Sequence, residues 1–384
     1  MRHHFRKIIY CLVLPLVLGF AHQACVDPVE PEFEYFLGLP YIEALAGTTP
    51  GSSFVRIAES AREFGVNLNR PISGASVFFI NASTGASVAL TEVDNTYLPP
   101  DGFVAVEGET WELRVVMPGG KEYRSRPETV RSSVPISGLE VTYEPELLFS
   151  DEFEGFIPGH RISVDVPDPA GTDNYYFWQY RSFERLVYCR ECFGRTVLRN
   201  GECIVVSQGS EFDDSGLLNR YTYTCEETCW QIRYSDKINI FSDEFSDGLL
   251  ISRLPVADIA LFTKRNILVE LQQFSLSEEA YRYYKTLKDL IDNNSGFNAP
   301  LPAALVGNLF NPDDPDEIIL GRFTAAATSI RSVFIERIFV EEEQLEPIII
   351  AQPEGDETPP PPTFFAPCID SRFRTSTQPA NWPE

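Results

Sequence analysis

Along much of the chain apolar and polar residues alternate with a period of two, which predicts half-buried β-strands rather than helices. Trp111, Leu113 and Val115 fall on one face of such a run, and Glu112 and Arg114 on the other. The same pattern predicts strands at 54–57, 76–80, 87–90 and 111–116. Breakers punctuate them: Ser83-Thr84-Gly85, Pro99-Pro100-Asp101-Gly102 and Pro118-Gly119-Gly120. About seven short strands between residues 38 and 137 describe an N-terminal immunoglobulin-like or transthyretin-like β-sandwich.

Residues 138–384 read as a larger β-rich domain, so the fold class is mainly β. Strands are expected at 140–143, 161–166, 175–180 and 267–271, and a late one at 333–340. One amphipathic helix is expected at 277–291. Ser275-Leu276-Ser277-Glu278 provides a capping box, Ala280, Tyr284, Leu287 and Ile291 share a face, and Asn293-Asn294-Ser295-Gly296 stops it. A Pro-rich tail covers 352–384, and its 352–363 stretch suits an extended polyproline conformation. The aromatic run 175–183 admits two readings, a stacking platform for a flat ligand or a central strand buried on both faces. The second is preferred, because consecutive aromatics in a strand point both ways.

Charge narrows the partners. The 384 residues hold 31 Lys and Arg against 56 Asp and Glu, a net charge of −25. Nucleic acid and anionic lipid surfaces both demand a basic footprint that this composition lacks. The few early cations, Arg2, Arg6 and Lys7, precede an apolar run from Ile8 to Phe20, too short to span a bilayer comfortably. Residues 1–24 therefore read as a secretory signal of the lipoprotein kind, with Ala24 before an acylated Cys25. The alternative is ordinary cleavage after Ala24, with Cys25 free or disulfide-bonded. Residues 25–37 form an acidic, Pro-rich tether. A chain starting at Cys25 carries 28 Lys and Arg against 56 Asp and Glu, net −28, and keeps one histidine, His160.

Export decides how the cysteines are read. Cys189, Cys192, Cys203, Cys225, Cys229 and Cys368 are an even set in an oxidising compartment, so three disulfides are expected, with 15 connectivities open. Zinc is the rival, because Cys189-x2-Cys192 and Cys225-x3-Cys229 have ligand-like spacing. Partly free thiols are the third option. Five of the six lie within 189–229, which reads as a long stapled insertion of the kind that often carries function. Residues 311–317, with four carboxylates and Asn311, offer calcium a cluster of oxygens, but their spacing and two prolines favour an acidic turn.

No catalytic set emerges. One histidine excludes a His-pair zinc site and allows a Ser-His-Asp triad only through His160, which follows Pro158-Gly159 and is expected on a surface turn. There is no G-x-S-x-G, phosphate loop or dinucleotide fingerprint. No catalytic, cofactor-binding or metal-ligating residues are expected. The chain reads as a non-enzyme, with a surface hydrolase as the enzymatic alternative.

Several segments in order resemble a known family. They are Pro71-Ile72-Ser73-Gly74-Ala75-Ser76-Val77, Gly120-Lys121-Glu122-Tyr123-Arg124-Ser125 and Cys229-Trp230, then Ser275-Leu276-Ser277-Glu278-Glu279-Ala280-Tyr281. Pro302-Ala303-Ala304-Leu305-Val306-Gly307-Asn308-Leu309 and Leu320-Gly321-Arg322-Phe323 follow, and Pro367-Cys368-Ile369-Asp370 and Pro379-Ala380-Asn381-Trp382 end the series. Together they are similar to a Bacteroidota lipoprotein family, domain-of-unknown-function family 4249. The resemblance covers nearly all of the chain after Cys25. It implies an outer-membrane, surface-exposed lipoprotein that is lipid-anchored at Cys25, often encoded beside TonB-dependent receptors, with no established catalytic residues, cofactor or ligand. The acidic residues behind Cys25 also resemble the surface-export signal of such lipoproteins. Ser371 stands where the family pattern has a second tail Cys, so the resemblance implies that Cys368 pairs with Cys229. The function expected on this footing is a non-enzymatic accessory or ligand-capture partner of such a receptor in nutrient uptake. A structural or adhesive envelope lipoprotein is the alternative.

Overall fold

Alternation at 111–116 becomes a strand whose Trp111, Leu113 and Val115 are buried in a sandwich core. The computed structural model describes residues 37–192, 196–199, 202–205, 221–235, 237–292, 305–346 and 365–383. The expected signal, Cys25, the tether up to residue 36, the middle of the stapled insertion, the helix stop at 293–296 and the 352–363 polyproline stretch lie outside these residues. Among the described residues no helix is long and apolar enough to cross a membrane.

Nine strands come first: β1 (Pro40–Gly47), β2 (Phe54–Glu63), β3 (Val66–Pro71), β4 (Ser76–Asn81), β5 (Ser87–Val93), β6 (Thr96–Leu98), β7 (Thr110–Val116), β8 (Glu122–Ser125) and β9 (Glu128–Thr129). One sheet runs β3-β2-β1, with β6 touching β2; the other runs β5-β4-β7, with β8 and β9 on β7. Ile42, Val55 and Ile57 from the first meet Val77, Phe79 and Val115 from the second. Fully burying each such side chain contributes about 1.5–3 kcal/mol before the entropy of ordering is charged against it.

The remaining elements are β10 (Gly138–Ser150), β11 (Gly155–Pro167), β12 (Tyr175–Cys192), β13 (Thr196–Arg199), β14 (Glu202–Val205), β15 (Tyr221–Tyr234), β16 (Asn239–Ser242), β17 (Leu250–Ala260), β18 (Ile267–Leu276), helix α1 (Glu278–Asp292), β19 (Leu309–Phe310), β20 (Leu320–Ile335), β21 (Phe365–Ala366) and β22 (Arg374–Thr375). The sheet β10-β11-β17 packs on the sheet β12-β18-β20, with Ile162 and Val164 meeting Trp178 and Val269. β12 carries β16 and β15 on its other edge. Tyr176, Trp178 and Tyr180 enter this second core, while Phe177 packs on the opposite face against Phe274 and Tyr284. The aromatic run is thus a central strand covered on both sides.

β20 belongs to both halves of the chain. Its residues 320–326 pair in parallel with β1, and residues 327–335 pair antiparallel with β18. Phe323, Ala325 and Ala327 close the first sandwich, whereas Ala326 packs toward α1. A boundary at 137/138 therefore divides the chain but not its sheets.

Three local expectations are corrected. The late strand is 320–335 rather than 333–340, because Arg337 turns inward to 2% exposure. Its N–H donates to Asn266 Oδ1 (2.9 Å), and a turn closes from Val340 N to Arg337 O. His160 is not on a surface turn: Pro158-Gly159-His160 continue β11, and His160 is 4% exposed. Gly159 permits this, since a Cβ there would sit 2.4 Å from Ile259 O on the neighbouring strand. In α1, Ala280 and Tyr283 are the buried residues, and Ile291 is exposed. Ser277 is its N-cap, accepting from Ala280 N at 3.1 Å.

Candidate functional site

The segments singled out in the sequence meet one another in space. Ser277, Asn308 and Arg322 converge on Glu128, which lies on the short strand β9. Arg322 Nη2 donates to Glu128 Oε2 at 2.6 Å, both side chains being almost wholly buried. Ser277 Oγ donates to Oε1, and Asn308 Nδ2 reaches Oε2 at 3.4 Å. Asn308 also clamps β20, donating to Phe323 O (2.8 Å) and accepting from Phe323 N (3.0 Å). Burial raises the Glu128 carboxyl above its ordinary range, and the Arg322 charge opposes that rise. The glycines of the same segments answer a steric need. A Cβ on Gly307 would lie 2.0 Å from Gly321 O, and one on Gly321 (φ +97°) would lie 2.0 Å from Ile42 O. This constellation welds both sandwiches to α1.

The other segments pair likewise. In the Pro71–Val77 turn, Tyr97 Oη donates to Ile72 O (3.0 Å) and accepts from Ala75 N (3.0 Å). Lys121 and Tyr123 donate to Glu317 Oε1 at 3.0 and 2.9 Å. Trp230 packs edge-on against Trp382 of the tail.

Between the two sandwiches, α1 and the C-terminal tail lies an open cleft of about 1010 Å³. Tyr41 and Arg56 come from β1 and β2, Arg181 from β12, Tyr234 from β15, Tyr284 from α1 and Arg372 from the tail. Arg56 pairs with Glu43 at 3.1 Å and stacks 4.6 Å over Phe54. Arg181 pairs with Glu270, and the Arg372 guanidinium lies 4.7 Å over Tyr234. Burial pushes the phenols of Tyr41 and Tyr283 up, and that of Tyr284 up to about 12, so all three remain protonated hydroxyls at neutral pH. The cleft can hold a ligand between aromatic walls under cationic groups. Its residues are scattered from 41 to 375, and no local motif announces it.

The six cysteines form Cys189–Cys225, Cys192–Cys203 and Cys229–Cys368. The sulfurs of Cys189, Cys225 and Cys229 lie within 4.8 Å of one another, but each is already bonded to sulfur. Cys229–Cys368 is the pair implied by the resemblance. It ties the tail to β15, and Arg374 Nη1 donates to Cys189 O. Among the described residues, none of 189–229 lines the cleft, whereas the tail they hold does.

The acidic turn at 311–317 spends its best ligands on protein. Asn311 Oδ1 accepts from Asp313 N, Asn311 Nδ2 donates to Glu317, and Asp313, Asp314 and Asp316 face solvent. Carboxylate oxygens of Asp168, Asp243 and Asp247 gather within 4.8 Å; the sequence marks only Asp243, in the weak acidic pair Asp243-Glu244. They too accept protein donors: Tyr176 Oη and Gly248 N on Asp168, Asn174 on Asp243 and Gly171 N on Asp247. His160 lies tilted against Tyr143, ring centroids 5.1 Å apart, and among the described residues no serine or carboxylate is hydrogen-bonded to it. Burial, with help from Arg337, lowers its pKa to about 4.

A search of curated proteins finds no match. Among solved structures, a Salmonella alpha-2-macroglobulin mutant aligns with 63% of this chain and 14% of its own, at 11% identity and a TM-score of 0.17. The chain thus spans about one seventh of that protein. The family model for the domain of unknown function DUF4249 matches residues 26–332, a span that takes in the Glu128 constellation and most of the cleft. This chain belongs to the DUF4249 family.

Proposed function

We propose that this protein is a non-enzymatic, lipid-anchored capture protein of the outer-membrane surface that serves a TonB-dependent receptor in nutrient uptake. The observation that carries the reading is the cleft of about 1010 Å³, walled by aromatics and bounded by a tail that a disulfide holds in place. Clefts of this size and lining are where small ligands are held, whereas a spacer or adhesin needs only smooth convex domains. The lipid anchor is assigned to Cys25 by the sequence around it, and two or three acyl chains there hold a protein to a bilayer without a transmembrane helix. The hydrolase alternative loses its best argument with His160, which is buried on β11 against Tyr143 rather than in the cleft.

Affinity purification of the tagged protein from outer membranes, followed by mass spectrometry, tests this. One TonB-dependent receptor should be recovered in near-equal amount, and Cys25→Ala should release a folded protein from the membrane. Recovery of no receptor, together with unchanged growth of a deletion strain on every nutrient tried, would reject the proposal.

A further inference from the structure

The cleft carries a charge opposite to that of the protein around it. In a chain of net −25, carboxylates claim several of the cleft's cations: Glu43 takes Arg56, Glu270 takes Arg181 and Glu128 takes Arg322. Lys237 and Arg372 are different. Among the described residues no carboxylate stands within ion-pair distance of either, though both line the cleft. Arg374 lies beside them and donates only to the backbone at Cys189. The tail carboxylate nearest in sequence, Asp370, is turned away to accept from Ser376 N and Oγ. Among the described residues, that leaves Asp101 as the remaining acid of the cleft's lining, against three cations.

The geometry of Arg372 is fixed. Its guanidinium lies 4.7 Å over Tyr234 and 5.4 Å over Phe373, and Tyr234 Oη donates to Arg372 O at 3.1 Å. The Cys229–Cys368 bond anchors the tail just before it. A stacked guanidinium keeps its N–H edge free, and that edge matches the paired oxygens of a carboxylate, sulfonate or phosphate. The walls beside it, Phe54, Phe177 and Tyr234, suit a flat apolar body.

We propose that this cleft takes a small organic anion with a flat apolar body, its charged group received by Lys237 and Arg372. The proposal rests on reading the cleft as a capture site. It is tested on the intact, oxidised chain with two fluorescent probes of like ring system. One is anionic, anilinonaphthalene sulfonate, and the other neutral, phenylnaphthylamine. The anion should bind at one saturable site at least about tenfold more tightly than the neutral dye, the scale of one charge-assisted hydrogen bond. The double variant Lys237→Gln, Arg372→Gln should lose that tenfold for the anion and leave the neutral dye within about twofold, with an unchanged near-ultraviolet dichroism spectrum. Equal affinity for the two dyes, or anion binding untouched by the double variant, overturns the anion preference while leaving capture standing. Saturable binding of neither dye overturns both.

Discussion

His160 makes the stability of this protein depend on pH through one side chain. It is the only histidine after residue 24, so in a protein made without residues 1–24 no other imidazole confuses the measurement. In the folded state burial in β11 and the nearby Arg337 charge lower its pKa to about 4, against an ordinary 6.5. Its Nδ1 is buried without a hydrogen-bond partner, which fits a neutral ring. As pH falls below 6.5 the unfolded chain takes up a proton that the folded chain refuses until about pH 4. Stability is therefore lost progressively across that window. Linkage puts the loss at about 1.4 kcal/mol by pH 5.5 and about 3 kcal/mol by pH 4. The carboxylates also titrate at the lower end, so the informative quantity is a difference. Urea unfolding of the protein and of His160→Phe, measured from pH 7.5 to 4, should show the variant gaining about 3 kcal/mol on the parent as pH falls. A gap that stays within about 1 kcal/mol, or that opens in the other direction, would refute the assignment of His160 as a buried neutral imidazole.

Three further outcomes follow from the packing. Arg322→Met leaves Glu128 buried without its partner and should cost about 3–5 kcal/mol in thermal or urea unfolding, most of it recovered in the double variant with Glu128→Leu; a double variant as unstable as the single one would contradict this. Gly321→Ala should prevent accumulation of soluble protein, because its Cβ meets Ile42 O in a left-handed backbone, whereas Gly119→Ala, with nothing within 4 Å, should express normally. Replacing Cys229 and Cys368 by Ser opens a loop spanning 139 residues, for which the chain-entropy model gives about 5 kcal/mol. Limited trypsin digestion should then cut first at Arg372 and Arg374, and simultaneous loss of the first sandwich would argue against a merely tethered tail.

The strands that were legible were so because one face of each sheet is buried and the other wet, as at Trp111-Glu112-Leu113-Arg114-Val115. The start of α1 was legible because capping is local chemistry at Ser277. Tyr283 was missed and Ile291 misplaced, since periodicity gives a stripe but not the point where a helix runs off its support. β20 was largely hidden. Its centre, Thr324-Ala325-Ala326-Ala327-Thr328, has weak strand propensity, and small residues are needed there because layers press on both faces. Glu128 is one acid among 56 and carries no motif of its own; only the surrounding fold gives it Arg322, Asn308 and Ser277. The cleft is likewise a product of tertiary assembly.

The divided pairing of β20 has a consequence for how the chain is made. β1 is finished within the first fifty residues, yet its parallel partner comes from residues 320–326. During synthesis, the N-terminal sandwich must wait with an unpaired, apolar edge while some 270 residues follow it. Such an edge is a template for pairing with other chains, and closing so long a loop is slow. Chaperone occupancy of emerging chains should be longest before residue 327 appears and fall once Phe323, Ala325 and Ala327 can dock. A product truncated just short of β20 should aggregate through β1, even though every other strand of its first sandwich is present.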